Sequence, residues 1–449
     1  MSDPQTSTPL SYQRLLSFFA DLRDVFRDHR RALTCLSLIA ALILLSYSVA
    51  RGPSESLFLK YHDRAQLPGL WIEMGLAVIF LVSIYNRLLN YVSLYRLFHL
   101  SFWVTALLFG ILLSGWLPLT ERSYEVWGQS FPFGPVTLLR IWCDLYIVLL
   151  VETFWSLSNL HFSLKSATLI YGFLGMAGSF GSMAGNMITA LYAVSWGTDN
   201  LIALTIPCAV LMSLCLLPLK DVFARPQFRE EAQPSAKTST EREERSSFFE
   251  GLKVIFRSEY LPLILLLVLS SQVAVTLIDY QYKGLLQSLY PDVNDRSAIQ
   301  GWVYLSIDVG SIVMQLLTGV TITLLGIGAT LTMIPLLLIS LCFIPIFMPV
   351  FLMIALGKSA SKFLTYSIFK SAKELVYLPL SYNEQTQGKA IIDIMVYRQA
   401  KLLASVLLIA LSAQQVSTQA AGWFTVGSIV VWISISLILW SKLRSKAVH

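Results

Sequence analysis

The stretch KDVFARPQFREEAQPSAKTSTEREERSSFFEGLK, residues 220–253, is the longest polar interruption in a chain that is otherwise strongly apolar. Hydrophobic residues make up 55% of the 449 positions and charged residues only 13%, and the mean hydropathy is +0.64. Soluble proteins of this length are normally about a quarter charged. The composition therefore predicts an integral membrane protein in which this stretch joins two membrane-embedded groups of helices.

Apolar segments long enough to cross hydrocarbon recur on both sides of this stretch. We predict twelve transmembrane spans at roughly 33–50, 68–86, 100–119, 135–157, 167–192, 200–218, 260–279, 301–321, 325–346, 349–366, 390–412 and 421–440. The predicted domains are a cytoplasmic segment with an amphipathic helix (1–32), a six-helix bundle (33–219), a cytoplasmic linker (220–259), a second six-helix bundle (260–440) and a cytoplasmic tail (441–449). The fold class is all-α integral membrane, with the plan of major-facilitator transporters.

The basic residues predict the orientation of these spans. With a cytoplasmic N-terminus, 24 Lys and Arg side chains fall in cytoplasmic segments and 6 in outward ones. The outward six are Arg51, Lys60, Arg64, Arg122, Lys283 and Arg296, and Lys358 and Lys362 are counted with the cytoplasmic connector after span 10. Because positive charge accumulates on the cytoplasmic side, both termini are predicted there, in a bacterial inner membrane. The net charge of +6 therefore reflects topology and not nucleic-acid binding.

Charges inside spans are costly, at about 2.5–3.5 kcal/mol each by insertion scales, so they are functional candidates. Nine stand out, namely Glu73, Arg140, Asp144, Glu152, Asp279, Asp308, Asp393, Arg398 and Lys401. Arg140 and Asp144 lie four residues apart and can pair, either as packing or as part of a substrate pathway. By the predicted boundaries, Glu73, Asp279 and Asp308 lie toward the outer side, where a water-filled vestibule explains them as well as a ligand role does. Glu152 lies near the cytoplasmic end of span 4.

Span 11 carries its charges on one face. Lys389, Asp393, Tyr397 and Lys401 are each four residues apart, and Arg398 lies about 60° round the helix from Lys401. Lys401 is roughly 17 Å into the span, near the middle of a ~30 Å core. Arg398 and Lys401 carry two positive charges and Asp393 only one negative charge, so the surplus positive charge favours an anion site. An internal ion pair that locks the helix remains the alternative.

Span 5 reads GFLGMAGSFGSMAGN, with five glycines three or four residues apart: Gly172, Gly175, Gly178, Gly181 and Gly185. Such a face allows helices to approach closely, or to slide during a conformational change. The five cysteines show no CxxC spacing and the histidines no metal-ligand spacing, so we predict no metal and no cofactor. The Gly388-Lys389 pair fails the Walker A pattern, because Asn383 and Ala390 stand at required positions. An enzyme is therefore not expected.

The segment around span 11 resembles one family closely in its spacing. It contains Lys373-Glu374, Tyr377, Pro379-Leu380, Gly388-Lys389-Ala390, Ile392-Asp393, Arg398 and Lys401. This pattern resembles the signature of the nucleotide transporter family of ATP/ADP carriers from plastids and obligate intracellular bacteria, with Ala400 where that family has Gly. SYSVARGPSESL (46–57), LLRIWCDLYIVLLVETFWSLSN (138–159) and NDRSA (294–298) resemble the family more weakly.

The resemblance implies a transporter that exchanges ATP for ADP and phosphate, or carries other nucleotides, sometimes with protons. Of four intramembrane charges that matter in that family, the span 11 Lys matches Lys401, the span 7 acid matches Asp279 and the span 4 acid falls near Asp144. The fourth, a Lys at the end of span 1, is replaced by Ser54, with Arg51 the nearest cation and Arg140 another source of positive charge.

The sequence therefore predicts a secondary active transporter for a nucleotide or related anionic metabolite, working in a lipid bilayer, by exchange and as a monomer. The predicted substrate-binding residues are Lys401, Arg398, Asp393, Asp279, Asp144, Tyr397 and Arg140. Arg398 and Lys401 would bind phosphate, and Asp144 and Asp279 would bias the alternating states or bind a proton. The alternatives are a proton-coupled symporter of a non-nucleotide metabolite and a non-transporting membrane scaffold or sensor.

Overall fold

The computed structural model describes residues 27, 29–115, 120–126, 129–162, 164–223, 254–347, 350–377, 380, 384, 392, 397–413 and 418–447. Within these ranges, seven helices are long and apolar enough to cross a membrane: Arg30–Tyr61, Arg64–Leu89, Leu94–Leu113, Thr198–Leu219, Leu261–Leu289, Val293–Leu325 and Gly422–Lys442. The predicted multi-pass membrane protein is therefore confirmed, whereas the described helices do not by themselves establish twelve spans.

The first group of helices precedes the polar stretch. It contains α1 (Arg30–Tyr61), α2 (Leu67–Leu89), α3 (Leu94–Leu113), α4 (Pro135–His161), α5 (Leu164–Trp196), α6 (Thr198–Ala203), α7 (Thr205–Leu216) and the short α8 (Lys220–Phe223). Its core joins Leu36 and Ile39 of α1 to Phe98 and Phe102 of α3, with Tyr146 of α4. All of these side chains are fully buried, so burial of apolar area holds the group together.

The second group has its own core. It contains α9 (Leu261–Leu289), α10 (Val293–Leu325), α11 (Ile327–Phe347), α12 (Phe351–Leu364), α13 (Lys370–Tyr377), α14 (Tyr397–Ala413) and α15 (Thr418–Ala447). Ile264 of α9, Ile334 of α11 and Trp432 of α15 are all fully buried in this core. Phe369, in a short π-helical segment after α12, meets the Trp432 ring edge-on at 5.5 Å. Each group therefore has an apolar core of its own, and the division into two six-helix bundles stays a prediction.

A small β-hairpin corrects the expectation of an all-α fold. Strands β1 (Arg122–Val126) and β2 (Gln129–Phe133) pair antiparallel, and the rings of Tyr124 and Phe131 stack at 5.7 Å. The Gln129 side-chain amide donates to the Ala65 carbonyl (3.0 Å), which fixes the hairpin against the α1–α2 connection. Backbone N–H and C=O groups between the helices still need hydrogen-bond partners, and the paired strands of the hairpin supply them for one another. We call this side of the molecule the hairpin end.

Several predicted boundaries were wrong, and charged residues are the reason. Helix α1 runs for 32 residues, through Pro53 and past Arg51. Helix α9 continues to Leu289, past Lys283, and α10 begins at Val293, before Arg296. These three basic residues therefore lie in helices and not in outward loops. A hydropathy count ends a span at such charges, but the helix continues because its neighbours supply hydrogen bonds and counter-charges.

The glycines of α5 allow close contact with α1, as predicted for three of the five. A Cβ atom added at Gly178 would lie 2.9 Å from Leu44, one at Gly185 would lie 2.6 Å from the Leu45 carbonyl, and one at Gly181 would collide with the Ala41 backbone. Added Cβ atoms at Gly172 and Gly175 meet nothing within 4 Å, so the expectation was wrong for that part of the face. The sliding role of this face stays a prediction.

The two groups are joined by hydrogen bonds at the hairpin end. The Gln287 amide of α9 donates to the carbonyls of Leu59 (2.8 Å) and His62 (2.9 Å). The Arg296 guanidinium of α10 donates to the Ser56 carbonyl of α1 (3.0 Å). The Thr198 hydroxyl donates to the Asn294 amide oxygen (2.8 Å). These bonds hold the first and second groups together on this side.

Candidate functional site

Two helices of the second group place one carboxylate between two ammonium groups. Asp279 and Lys283 lie one turn apart on α9, with Lys283 Nζ 2.8 Å from Asp279 Oδ2. Lys358 of α12 approaches from the other side, with its Nζ 2.7 Å from Asp279 Oδ1. Both lysines are buried, at 4% and 1% exposure. One acid cannot neutralise two buried cations, so a second anion is required.

Helix α1 of the first group supplies this second anion. Glu55 is 2% exposed and forms an ion pair with Lys283. The Tyr304 hydroxyl of α10 donates to the other Glu55 oxygen at 3.0 Å. We call Glu55, Asp279, Lys283 and Lys358 the central ion-pair cluster. It has two negative and two positive charges and spans the boundary between the two groups of helices.

Trp71 of α2 lies beside the central cluster and also beside Lys401. Lys283 Nζ is 5.1 Å from the centre of the Trp71 ring, and Lys401 Nζ of α14 is 5.3 Å from the same ring. Trp71 packs in an apolar cluster with Ala404 and Leu408, which positions α14 against α2. The face of an indole ring attracts cations, so Trp71 favours a charged Lys401 at this depth.

Arg140 and Asp144 pair along α4, as their spacing predicted. The guanidinium donates to both carboxylate oxygens, at 2.9 and 3.3 Å. The Tyr47 hydroxyl of α1 contacts Asp144 Oδ1 at 3.4 Å. Since Arg140 is committed to this pair, its charge is largely balanced. Such a bidentate pair is among the stronger polar contacts that a helix can hold.

Three other cations near the centre have no carboxylate within ion-pair distance in the part of the chain that the structure describes. They are Lys401, Arg51 of α1 and Lys362 of α12, whose Nζ lies 5.6 Å from the centre of the Tyr366 ring. The Arg51 guanidinium lies 4.2 Å from the centre of the Tyr304 ring and 5.5 Å from that of Tyr47. Aromatic faces hold the guanidinium without cancelling its charge. Arg51, Lys362 and Lys401 are therefore the described cations near the centre whose charge no described carboxylate balances at ion-pair distance.

The predicted site residues are only partly assembled by the described structure. Arg140, Asp144, Asp279 and Lys401 lie in the central region, where electrostatic interactions couple Lys401 to Asp144, Lys283, Arg140 and Asp279. Tyr397 and Arg398 begin α14, but the structure does not describe their side chains. Asp393 and Lys389 lie outside the described residues. The charged stripe of span 11 stays a prediction.

Sequence reasoning missed Glu55, Lys283 and Lys358. Lys283 was assigned to an outward loop and Lys358 to the cytoplasmic connector; both assignments were wrong, because both side chains are buried in helices. The usable signal was the four-residue spacing of Asp279 and Lys283, which indicates a pair on one helix face. Lys358 also lay within the predicted span at 349–366. Nothing local to the sequence indicates that Glu55 pairs with Lys283.

The remaining intramembrane acids have different surroundings. Glu73 accepts a hydrogen bond from the Tyr124 hydroxyl (3.0 Å) at the hairpin, as expected for a residue on that side, and Glu152 is exposed. Asp279 is paired with Lys283 and Lys358, and its vestibule and ligand roles both stay predictions. The Asp308 carboxylate of α10 accepts hydrogen bonds from Ser182 and Asn186 of α5, both at 2.8 Å.

Comparison with solved structures supports a transporter fold. The nucleoside transporter NupG superposes with a TM-score of 0.63 at 11% identity, covering 91% of this chain and 98% of NupG. A bacterial homolog of the human lysosomal transporter Spinster, in an inward-facing and unoccupied conformation, superposes with a TM-score of 0.58 at 12% identity, covering 92% and 97%. At such identity the likeness concerns the fold alone.

Sequence relatives are more specific. The chain is 22% identical over 468 residues to ADP,ATP carrier protein 1, chloroplastic, of Arabidopsis thaliana, covering 91% of this chain and 73% of that protein. It is 25% identical over 416 residues to ADP,ATP carrier protein 1 of Chlamydia pneumoniae, covering 80% of both chains. It is 21% identical over 487 residues to ADP,ATP carrier protein 3 of Rickettsia conorii, covering 95% of both.

The profile of the TLC ATP/ADP transporter family matches residues 133–442, which is more than half of the chain. This match covers α4 with its Arg140–Asp144 pair, the lysines and aspartate of the central cluster, and Lys401. The chain belongs to the TLC ATP/ADP transporter family.

Proposed function

We propose that this protein is a secondary transporter that moves a nucleotide such as ATP or ADP, or a related anionic metabolite, across a membrane by alternating access and in exchange for a second such anion. The observation that carries the proposal is Lys401, a partly buried cation without a carboxylate partner among the described residues. Family membership and the fold of the structural neighbours support a transporter. The names of the sequence relatives support a nucleotide substrate.

In this proposal Lys401 and Arg398 bind the phosphate groups electrostatically, with Asp393 setting the local charge balance. Arg51 replaces the cation that the family carries where this chain has Ser54. The Ser54 hydroxyl donates to the Arg51 carbonyl (3.1 Å), so the two residues share one turn of α1. Tyr47 and Tyr397 offer aromatic faces for a base, which is a second reason to expect a nucleotide.

The central cluster would act as the element that opens and closes. Glu55 belongs to the first group of helices, whereas Lys283, Asp279 and Lys358 belong to the second. Separating the groups at the hairpin end must break the Glu55–Lys283 pair and the Tyr304–Glu55 hydrogen bond. An anionic substrate that attracts Lys283 lowers the free energy of that separation, which links substrate binding to the motion.

We further propose the twelve-span, major-facilitator arrangement, cytoplasmic termini, a monomer and the inner membrane of a bacterium. On this orientation the hairpin end faces outward. The hydrogen bonds that join the groups there then correspond to an inward-facing conformation.

Reconstitution into liposomes tests the proposal. Vesicles loaded with unlabelled ADP should take up labelled ATP, and empty vesicles should not. Uptake driven by a pH gradient, and independent of any internal nucleotide, would select the proton-coupled symporter. If no nucleotide, phosphate or other anion is bound or transported, the transporter proposal fails and the scaffold alternative stands.

A further inference from the structure

Asp308 differs from the other intramembrane acids near the centre. Asp279, Glu55 and Asp144 each have a Lys or Arg within ion-pair distance. Asp308 has none in the described ranges, and its partners are the neutral side chains Ser182 and Asn186. Both of them donate to the same oxygen, Oδ2. Oδ1 therefore has no hydrogen-bond partner among the described residues.

The charged groups around Asp308 do not neutralise it. Arg51 of α1 faces it but lies beyond ion-pair distance, against the Tyr304 ring. Helix α12 packs on α10, where the Ser306 and Ser359 hydroxyls lie 2.9 Å apart. Helix α12 also carries Lys358 and Lys362. Lys358 is committed to Asp279. An ionised carboxylate without a counter-charge is costly within the membrane, and a proton on Oδ1 removes that charge.

The hydrogen bonds of Asp308 join the two groups of helices. Ser182 and Asn186 lie one turn apart on α5, and Ser182 also meets the Ser48 hydroxyl of α1 at 3.0 Å. Two turns before Asp308, Gly301 lets α10 contact the backbone of α5 at Ala190 and Asn186. Hydrogen bonds to an ionised carboxylate are roughly twice as strong as those to a neutral acid. The charge of Asp308 therefore changes how strongly α5 and α10 are held together.

We propose that Asp308 is a proton-binding site through which a proton gradient drives the nucleotide exchange in one direction; this inference rests on the function proposed above. When the hairpin end is open, a proton from the acidic outer side binds Asp308 Oδ1 and forms the neutral acid. When the hairpin end closes, the hydrogen bonds from Ser182 and Asn186 stabilise the ionised carboxylate, and the proton leaves to the cytoplasmic side. The outward-open conformation therefore takes up the proton and the inward-facing conformation releases it.

Asp308→Asn in proteoliposomes tests this site, because asparagine keeps the shape of the acid and cannot exchange a proton. Counterflow exchange of labelled nucleotide without a pH gradient should stay within about twofold of the unmodified protein. In ADP-loaded vesicles, the additional accumulation of labelled nucleotide that an inward-directed proton gradient causes should fall at least tenfold. Asp199→Asn, an exposed acid at the start of α6, should alter neither.

The outcomes separate this site from the proposed function. Exchange without any accumulation driven by a pH gradient in the unmodified protein would overturn the role of Asp308 and leave the nucleotide exchanger intact. Equal pH-driven accumulation by Asp308→Asn would also overturn it. If Asp308→Asn transports nothing, infrared difference spectra between neutral and alkaline pH, recorded for the variant and for the unmodified protein, test whether Asp308 binds a proton. A protonated-carboxyl band that is present in the unmodified protein and lost in Asp308→Asn supports the site, and an unchanged band contradicts it.

Discussion

The Tyr304 hydroxyl of α10 donates a 3.0 Å hydrogen bond to Glu55 of α1, and the same carboxylate pairs with Lys283 of α9. One buried acid of the first group is thus held by two helices of the second. In the proposed transport cycle these contacts must break when the two groups of helices separate.

Glu55→Gln should weaken the boundary between the two groups. The amide keeps the shape but removes the charge, leaving Lys283 to share Asp279 with Lys358. Buried hydrogen bonds to charged groups contribute about 1.5–3 kcal/mol, so the melting temperature in detergent should fall by several degrees. A cysteine introduced at Ser56 should become more reactive to a water-soluble maleimide. Glu125→Gln, an exposed acid of β1, is the control, and equal reactivity in both variants would contradict the role of Glu55.

Gly301→Leu should force α5 and α10 apart. Even a Cβ atom at this position would collide with the Ala190 backbone. Overpacking of this kind typically costs about 1–3 kcal/mol and should lower both the melting temperature and nucleotide exchange. Gly319→Leu lies on the same helix with nothing within 4 Å of its added Cβ, and it should be tolerated. Equal behaviour of the two variants would show that the close approach is unimportant.

Glu121 should make the stability of the hairpin end depend on pH. Burial raises the pKa of Glu121, but hydrogen bonds from His62, the Val136 amide and Thr137 outweigh it, so the pKa lies below the ordinary value of 4.5. A carboxyl with a lowered pKa stabilises the folded chain above its unfolded pKa, and this contribution is lost as pH falls through the folded pKa.

The measurement is the melting temperature of the unmodified protein and of Glu121→Gln across pH. The difference between them should be largest near pH 7 and should shrink below about pH 4. A difference that stays constant with pH would show that the ionised carboxylate is not what stabilises the hairpin end.

Much of the fold follows from the sequence. The apolar runs predict membrane helices, and the polar stretch at 220–253 predicts their division into two groups. The four-residue spacing of Arg140 and Asp144 predicts an ion pair. All three predictions depend on local sequence pattern. The glycine face of α5 was predicted for the same reason, although only Gly178, Gly181 and Gly185 use it.

The central ion-pair cluster could not be predicted in this way. Its members are far apart in sequence, since Glu55, Lys283 and Lys358 come from α1, α9 and α12. A charged residue near the end of a predicted span is assigned to a loop when its hydrogen-bond or ion-pair partner is unknown. For this reason Lys283 and Arg296 were placed outside helices. Only tertiary packing shows that these charges are neutralised within the membrane region.

Nucleotide exchange by Lys401→Gln is the measurement that tests the central claim most directly. Glutamine keeps the length and polarity of the side chain but cannot attract phosphate by charge. In vesicles loaded with ADP, uptake of labelled ATP should fall at least tenfold, whereas Lys60→Gln, an exposed lysine at the end of α1, should transport normally. Unchanged exchange and unchanged nucleotide affinity in folded Lys401→Gln would contradict the account.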